Sequence, residues 1–185
     1  MTLPNALSLL RILLIPVFML LFYLPYGWTN LACAFVFGFA GVTDWLDGYL
    51  ARRWHQITAF GAFIDPVADK LIVVVALVLL VQRHDSVWFT LPAAVIIGRE
   101  IVVSALREWM AEIGKRASIA VSFVGKVKTA VQIFAVLILL AAEPSWVSAI
   151  CLGLLCMYVS VVLTLWSMYA YLKAAWPELR KGMNG

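Results

Sequence analysis

Four aspartates stand within 26 residues of one another: Asp44, Asp47, Asp65 and Asp69. Asp44 and Asp47 are spaced i, i+3 and Asp65 and Asp69 i, i+4, so on helices each pair shares one face. An all-oxygen set of this kind suits hard divalent cations such as Mg²⁺ or Mn²⁺. Two such ions a few ångströms apart clamp a phosphoryl group during transfer. Gly48, Ala51 and Gly61 leave room beside the carboxylates for a bulky ligand, and Arg52 and Lys70 are nearby cations.

The elements that must carry these residues are unusual. The chain has 185 residues, 64% of them hydrophobic and 13% charged, with a mean hydropathy of +0.98. Soluble domains average about 45–50% apolar and about 25% charged, and a chain this short has too little interior to hide the excess. A soluble globular domain, a disordered chain and a disulfide-stapled module are excluded, and no nucleic-acid partner is expected. The expectation is an all-α integral membrane protein, one domain over residues 1–185. Six apolar stretches are long enough to span a bilayer: Ala6–Tyr26, Asn30–Ala51, Pro66–Gln82, Trp88–Arg107, Val121–Ala142 and Trp146–Leu172. The first lacks a basic start and a small-x-small cleavage site, and reads as a retained helix rather than a signal peptide.

Placing the N-terminus in the cytoplasm puts thirteen of the fourteen Lys and Arg residues on that side and Arg83 alone on the other. Positive charge collects on the cytoplasmic side of membrane proteins, so both termini are expected there. Trp28, Trp88 and Trp146 would mark one interface and Trp54, Trp109 and Trp176 the other. Cys33, Cys151 and Cys156 lie in apolar segments and read as small buried hydrophobes. His55 and His84 are far apart and form no constellation.

In this setting the second and third helices run antiparallel through a short loop, Arg52 to Phe60. Asp65 is expected to cap the third helix, with Pro66 in its first turn. The four carboxylates then gather at one cytoplasmic end. A carboxylate at the bilayer centre costs about 2.5–3.5 kcal/mol, and clustered intramembrane acids mark function. Capping and pairing with basic neighbours would explain one isolated aspartate better than four on facing helices. A cation transporter is the alternative of a different class. It predicts acids spread through the depth of the bilayer, whereas these share one end.

The residues Asp44, Asp47, Gly48, Ala51, Arg52, Gly61, Asp65 and Asp69 resemble the CDP-alcohol phosphotransferase motif D-x2-D-G-x2-A-R-x8-G-x3-D-x3-D in identity and spacing. Asn5, Ser8 and Arg11 are similar to that family's N-x-x-T-x-x-R element, with Ser8 keeping the hydroxyl of the threonine. Gly98-Arg99-Glu100, the segment from Ser104 to Trp109, Gly114-Lys115-Arg116 and the segment from Gly125 to Thr129 resemble the bacterial branch that makes phosphatidylglycerol phosphate. The resemblance implies six transmembrane helices around a polar cavity open to the cytoplasm, in a homodimer of the bacterial inner membrane. It implies metal binding by Asp44, Asp47, Asp65 and Asp69, with Asp69 as general base. It also implies that Asn5, Ser8, Gly48, Ala51, Arg52, Thr58 and Gly61 hold the CDP-diacylglycerol donor.

Granting phosphoryl transfer, the acceptor can be read from charge. Arg99, Arg107, Lys126 and Lys128 stand at the cytoplasmic ends of helices 4 and 5, with Thr129 as a further donor. Such a group favours an anionic acceptor, glycerol 3-phosphate, over a cationic one. An inositol phosphate would satisfy the same logic. The plainer role for these cations is pairing with Glu100, Glu108 or Glu112, and it fits Lys115 and Arg116 best.

Overall fold

The computed structural model describes residues 3–53, 59–114 and 123–183. They form six helices: α1 Leu3–Tyr23, α2 Thr29–Arg53, α3 Ala59–His84, α4 Val87–Glu112, α5 Phe123–Ala141 and α6 Val147–Met183. The expected all-helical architecture is present. Three helices carry stretches long and apolar enough to cross a membrane: Ala6–Tyr23, Val87–Glu112 and Val147–Lys173. Thr29–Asp44 and Val127–Ala141 are shorter apolar segments.

Local chemistry sets several of the boundaries. Ser86 caps α4 from an extended conformation, its hydroxyl accepting the Trp88 N–H at 3.3 Å, which satisfies one of the amides a helix start leaves open. Gly114, at φ +73°, follows the C-terminal end of α4 in the left-handed conformation that glycine adopts without a Cβ penalty. At the other end of the bundle, Arg83 donates to the Leu140 carbonyl at 3.2 Å and lies 4.2 Å from the Phe22 ring centroid. The last turn of α5 is thereby met by a cation that is also held on an aromatic face.

α1 packs on α2 and α3; α5 packs on α6 and α2; α4 lies against α6 and α3. The main core joins Phe18, Phe37, Leu77, Leu80, Ile96, Leu139 and Met157, all essentially removed from solvent. A second, smaller core of Val103, Leu106, Met110, Tyr171 and Ala175 joins α4 to α6. Close packing fixes one glycine: a Cβ on Gly153 would stand 2.6 Å from Leu139 Cγ, so α6 approaches α5 only where no side chain intervenes. The outward faces stay apolar, with Leu20, Phe35, Val162 and Trp166 about 70% exposed. A bilayer covers such a surface; water would not tolerate it.

Three expectations need correction. α3 begins at Ala59, so Asp65 is not its cap and Pro66 lies inside the helix. Proline removes one N–H but does not end a helix whose flanking turns are held by neighbours, and such prolines are tolerated in membrane helices. The loop expected from Arg52 to Phe60 is shorter, because Arg52 and Arg53 end α2 while Ala59 and Phe60 start α3. α4 and α6 run past Arg107 and Leu172 to Glu112 and Met183. Hydropathy falls at those points, but the Ala-, Glu-, Leu- and Lys-containing sequence beyond them sustains a helix.

Candidate active site

The acidic cluster is assembled by α1, an element that contributes no acid. Ser8 and Arg11 are i, i+3 on α1, and both side chains are fully buried. The Ser8 hydroxyl lies against the carboxylates of Asp65 and Asp47, the latter at 3.5 Å. The Arg11 guanidinium spreads over α2, one nitrogen on Asp44 at 2.5 Å and the other on Asp47. One hydroxyl therefore ties α2 to α3, and one cation ties both α2 aspartates to α1. Asp47 is buried, Asp44 is 43% exposed and Gly61 is buried.

Among the described residues, no three His, Cys, Asp or Glu side chains stand close enough together to hold a metal ion as placed. Arg11 supplies positive charge at the α2 pair. Sequence alone points to Arg52 and Lys70 as neighbouring cations and leaves Arg11 without an assigned partner. The available signal is an arginine within an apolar stretch, which must find a counter-charge.

Asp69 stands within electrostatic reach of Asp44 and Arg11 and also lines a second surface. It lies one turn beyond Asp65 on α3 and lines a cavity of about 630 Å³ bounded by α3, α4, α5 and α6. From α4 come Arg99, Glu100 and Arg107; from α5, Lys128, Thr129 and Gln132; from α6, Tyr171. Lys70 brings the cations to four, against the carboxylates of Asp69 and Glu100. This basic character favours an anion.

The cations are held by specific contacts. Arg99 and Lys128 are buried and converge on a single oxygen of Glu100, at 2.9 and 2.6 Å. Arg99 also donates to the Ser167 hydroxyl of α6 at 2.9 Å. Arg107 donates to the Tyr171 hydroxyl at 2.8 Å, with its guanidinium 5.1 Å from that ring's centroid. Pairing with Glu100 and lining the cavity are thus two properties of the same side chains. Thr129 lines the cavity, but its hydroxyl donates to the Gly125 carbonyl at 3.0 Å, so as placed it offers lone pairs rather than a proton.

Of the residues expected to bind the acceptor, Arg99, Arg107, Lys128 and Thr129 are brought together here. The Lys126 side chain lies outside the described residues, as do those of Asn5, Gly48, Ala51 and Arg52 and the whole of Thr58. Glu100, Gln132 and Tyr171 are additional lining residues. Gln132 could have been found as the residue one turn on from Lys128 along the same helical face.

An acidic cluster thus lies beside a basic cavity in an all-helical bundle with membrane-length apolar helices. The chain belongs to the CDP-alcohol phosphatidyltransferase family, whose sequence model matches residues 1–166. It is 60% identical over 181 residues to a Pseudomonas fluorescens protein named CDP-diacylglycerol–glycerol-3-phosphate 3-phosphatidyltransferase, covering 97% of this chain and 93% of that one. Proteins of the same name from Pectobacterium atrosepticum and Sodalis glossinidius are 57% and 56% identical. Those alignments cover 95% and 97% of this chain and 96% and 97% of the respective relatives.

Proposed function

We propose that the protein transfers the phosphatidyl group of CDP-diacylglycerol to glycerol 3-phosphate, giving phosphatidylglycerol phosphate and CMP. The observation that carries this reading is the shared cavity. Asp69, the proposed base, lines the same space as Arg99, Arg107 and Lys128, the proposed phosphate ligands. The names of the relatives supply the two substrates.

In this reading the acceptor phosphate lies against Arg99, Lys128 and Arg107, and Lys126 is proposed as a further ligand. Charge-assisted hydrogen bonds to phosphate are the strong ones, and a guanidinium can make them in pairs. The primary hydroxyl then faces Asp69, which takes its proton as the oxygen attacks the phosphatidyl phosphorus. The new P–O bond forms as the bond to CMP breaks. Asn5, Ser8, Gly48, Ala51, Arg52, Thr58 and Gly61 are proposed to hold the donor.

The fit to a hard divalent cation rests on the chemistry of the donor set, four carboxylates and so all oxygen. Asp44, Asp47, Asp65 and Asp69 would hold Mg²⁺ or Mn²⁺, in a two-ion arrangement. When bound, the metal would offset the charge of the pyrophosphate and of the departing CMP.

The proposal includes six crossings of the bacterial inner membrane by a single domain, with both termini and the cavity facing the cytoplasm. The one-sided distribution of Lys and Arg supports this orientation. A homodimer is part of the same proposal. The test is CMP release by purified protein with CDP-diacylglycerol, comparing glycerol 3-phosphate with inositol phosphate, with Mg²⁺ or Mn²⁺ and with EDTA. Metal-dependent turnover selective for glycerol 3-phosphate is expected. Activity indifferent to EDTA would refute the metal assignment, and no turnover with glycerol 3-phosphate would refute the acceptor. Cation flux in liposomes without CMP chemistry would overturn the transferase reading altogether.

A further inference from the structure

Arg107 differs from Arg99 and Lys128 in what holds it. Those two are buried and converge on the Glu100 carboxylate, so each already faces negative charge. Arg107 is exposed, and among the described residues its hydrogen bond and its ring contact are both with Tyr171, a neutral group. Its charge is held in place without being offset there. A phosphate monoester carries about −1.5 to −2 charge near neutral pH, and a cation not yet paired with a carboxylate serves it best. An exposed arginine also has the most rotamer freedom to lose when it grips a ligand.

Tyr171 removes that freedom beforehand. Its hydroxyl accepts from the Arg107 guanidinium at 2.8 Å, and the guanidinium lies 5.1 Å from the ring centroid, within the range of a cation–π contact. The tyrosine is itself fixed: it is 8% exposed and packs with Val103, Leu106, Met110 and Ala175. It stands in the wall of the cavity that Arg107 lines. The hydroxyl takes one of the five guanidinium N–H donors and leaves the others for a ligand. Arg99 is met in the same manner by Ser167, one turn before Tyr171 on α6, whose hydroxyl accepts from it at 2.9 Å. Each α4 arginine of the cavity is thus oriented by a neutral hydroxyl from α6.

We infer that Tyr171 is a positioning residue for the transfer reaction, holding the Arg107 guanidinium where it meets the acceptor's phosphate. This rests on the proposed transferase reading and adds to it a side chain that acts through a phosphate ligand. A carboxylate in the place of the phenol would hold the arginine more tightly but would compete with the phosphate for it. A phenol orients the fork and leaves its charge to the substrate. Preorganisation of this kind lowers the cost of binding without adding a contact to the ligand.

The experiment uses full-length protein in lipid nanodiscs, assayed for CMP release from CDP-diacylglycerol while glycerol 3-phosphate is varied. Tyr171→Phe deletes the hydroxyl and keeps the ring in the core. It should raise the KM for glycerol 3-phosphate about three- to tenfold, the equivalent of one hydrogen bond. The kcat and the KM for CDP-diacylglycerol should change by less than about twofold. Arg107→Met should raise the same KM by about tenfold, and adding Tyr171→Phe to it should have no further effect, because the two residues act through one contact. An unchanged KM for glycerol 3-phosphate in Tyr171→Phe overturns the inference. So does a variant in which kcat and both KM values worsen together, which would mark a packing role. Full additivity with Arg107→Met overturns it as well, since Tyr171 would then act without Arg107. No turnover of glycerol 3-phosphate by the wild type overturns the transferase reading itself, and this inference with it.

Discussion

Replacing Arg11 by methionine should separate a buried ion pair from an exposed one within a single side chain. The guanidinium is fully buried and contacts two carboxylates of very different exposure, Asp47 at 4% and Asp44 at 43%. Removing one partner of a buried pair costs about 3–5 kcal/mol. A pair half open to solvent is screened and contributes about 0–1 kcal/mol. Arg11→Met should therefore destabilise the fold by about 3–5 kcal/mol, nearly all of it through Asp47. Double-mutant cycles resolve the two arms: the coupling of Arg11 to Asp47, measured with Asp47→Asn, should be about 2–3 kcal/mol. The coupling to Asp44, measured with Asp44→Asn, should stay below about 1 kcal/mol. Reversible unfolding in mixed micelles, followed by tryptophan fluorescence with a chelator present, gives these values without a contribution from bound metal. Equal couplings, or a loss below about 1 kcal/mol for Arg11→Met, would refute the reasoning that burial decides the strength of each arm.

Asp69→Asn should abolish CMP release while leaving nucleotide binding largely intact, as calorimetry with CMP would report; near-normal kcat would remove Asp69 as the base. Lys128→Ala should raise the KM for glycerol 3-phosphate by about tenfold with a smaller change for CDP-diacylglycerol, because it removes a charge-assisted contact to one substrate only. Gly153→Ala should cost about 1–3 kcal/mol in the same unfolding assay, since the new methyl meets the buried Leu139 and the core must shift. Gly38→Ala, whose Cβ would meet Leu137 at an ordinary 3.4 Å, should be nearly neutral.

The aspartate spacings were legible because helical periodicity is local: Asp44 with Asp47 and Asp65 with Asp69 share faces whatever surrounds them. The apolar stretches likewise announced six helices, since a bilayer imposes length and composition on each separately. The start of α3 was not legible, because a proline after a capping residue has the same sequence at a helix start and inside a helix. The structure places Asp65 and Pro66 inside α3, with Asp65 against Ser8 of α1. The cations of the cavity were recognisable from their position at helix ends. Pairing with Glu100 was among the readings, but the meeting of Arg99 and Lys128 on one of its oxygens was not, because it joins residues from α4 and α5. Arg11 was visible as a charge out of place, but its partners depend on how α1 lies across α2. Gln132 carries no charge and stands in no motif; its one sequence signal is its place a turn on from Lys128.

The length of α6 has a mechanical consequence. At 1.5 Å per residue, Tyr171 stands ~36 Å along the axis from Val147, more than the ~30 Å thickness of a bilayer's hydrocarbon core. A rotation of ~5° about the Val147 end carries Tyr171 sideways by ~3 Å, comparable with a full hydrogen-bond length. Membrane helices tilt to accommodate lipid thickness. A thinner or thicker membrane that reorients α6 therefore acts as a lever on the wall of the cavity, through the tyrosine that holds Arg107.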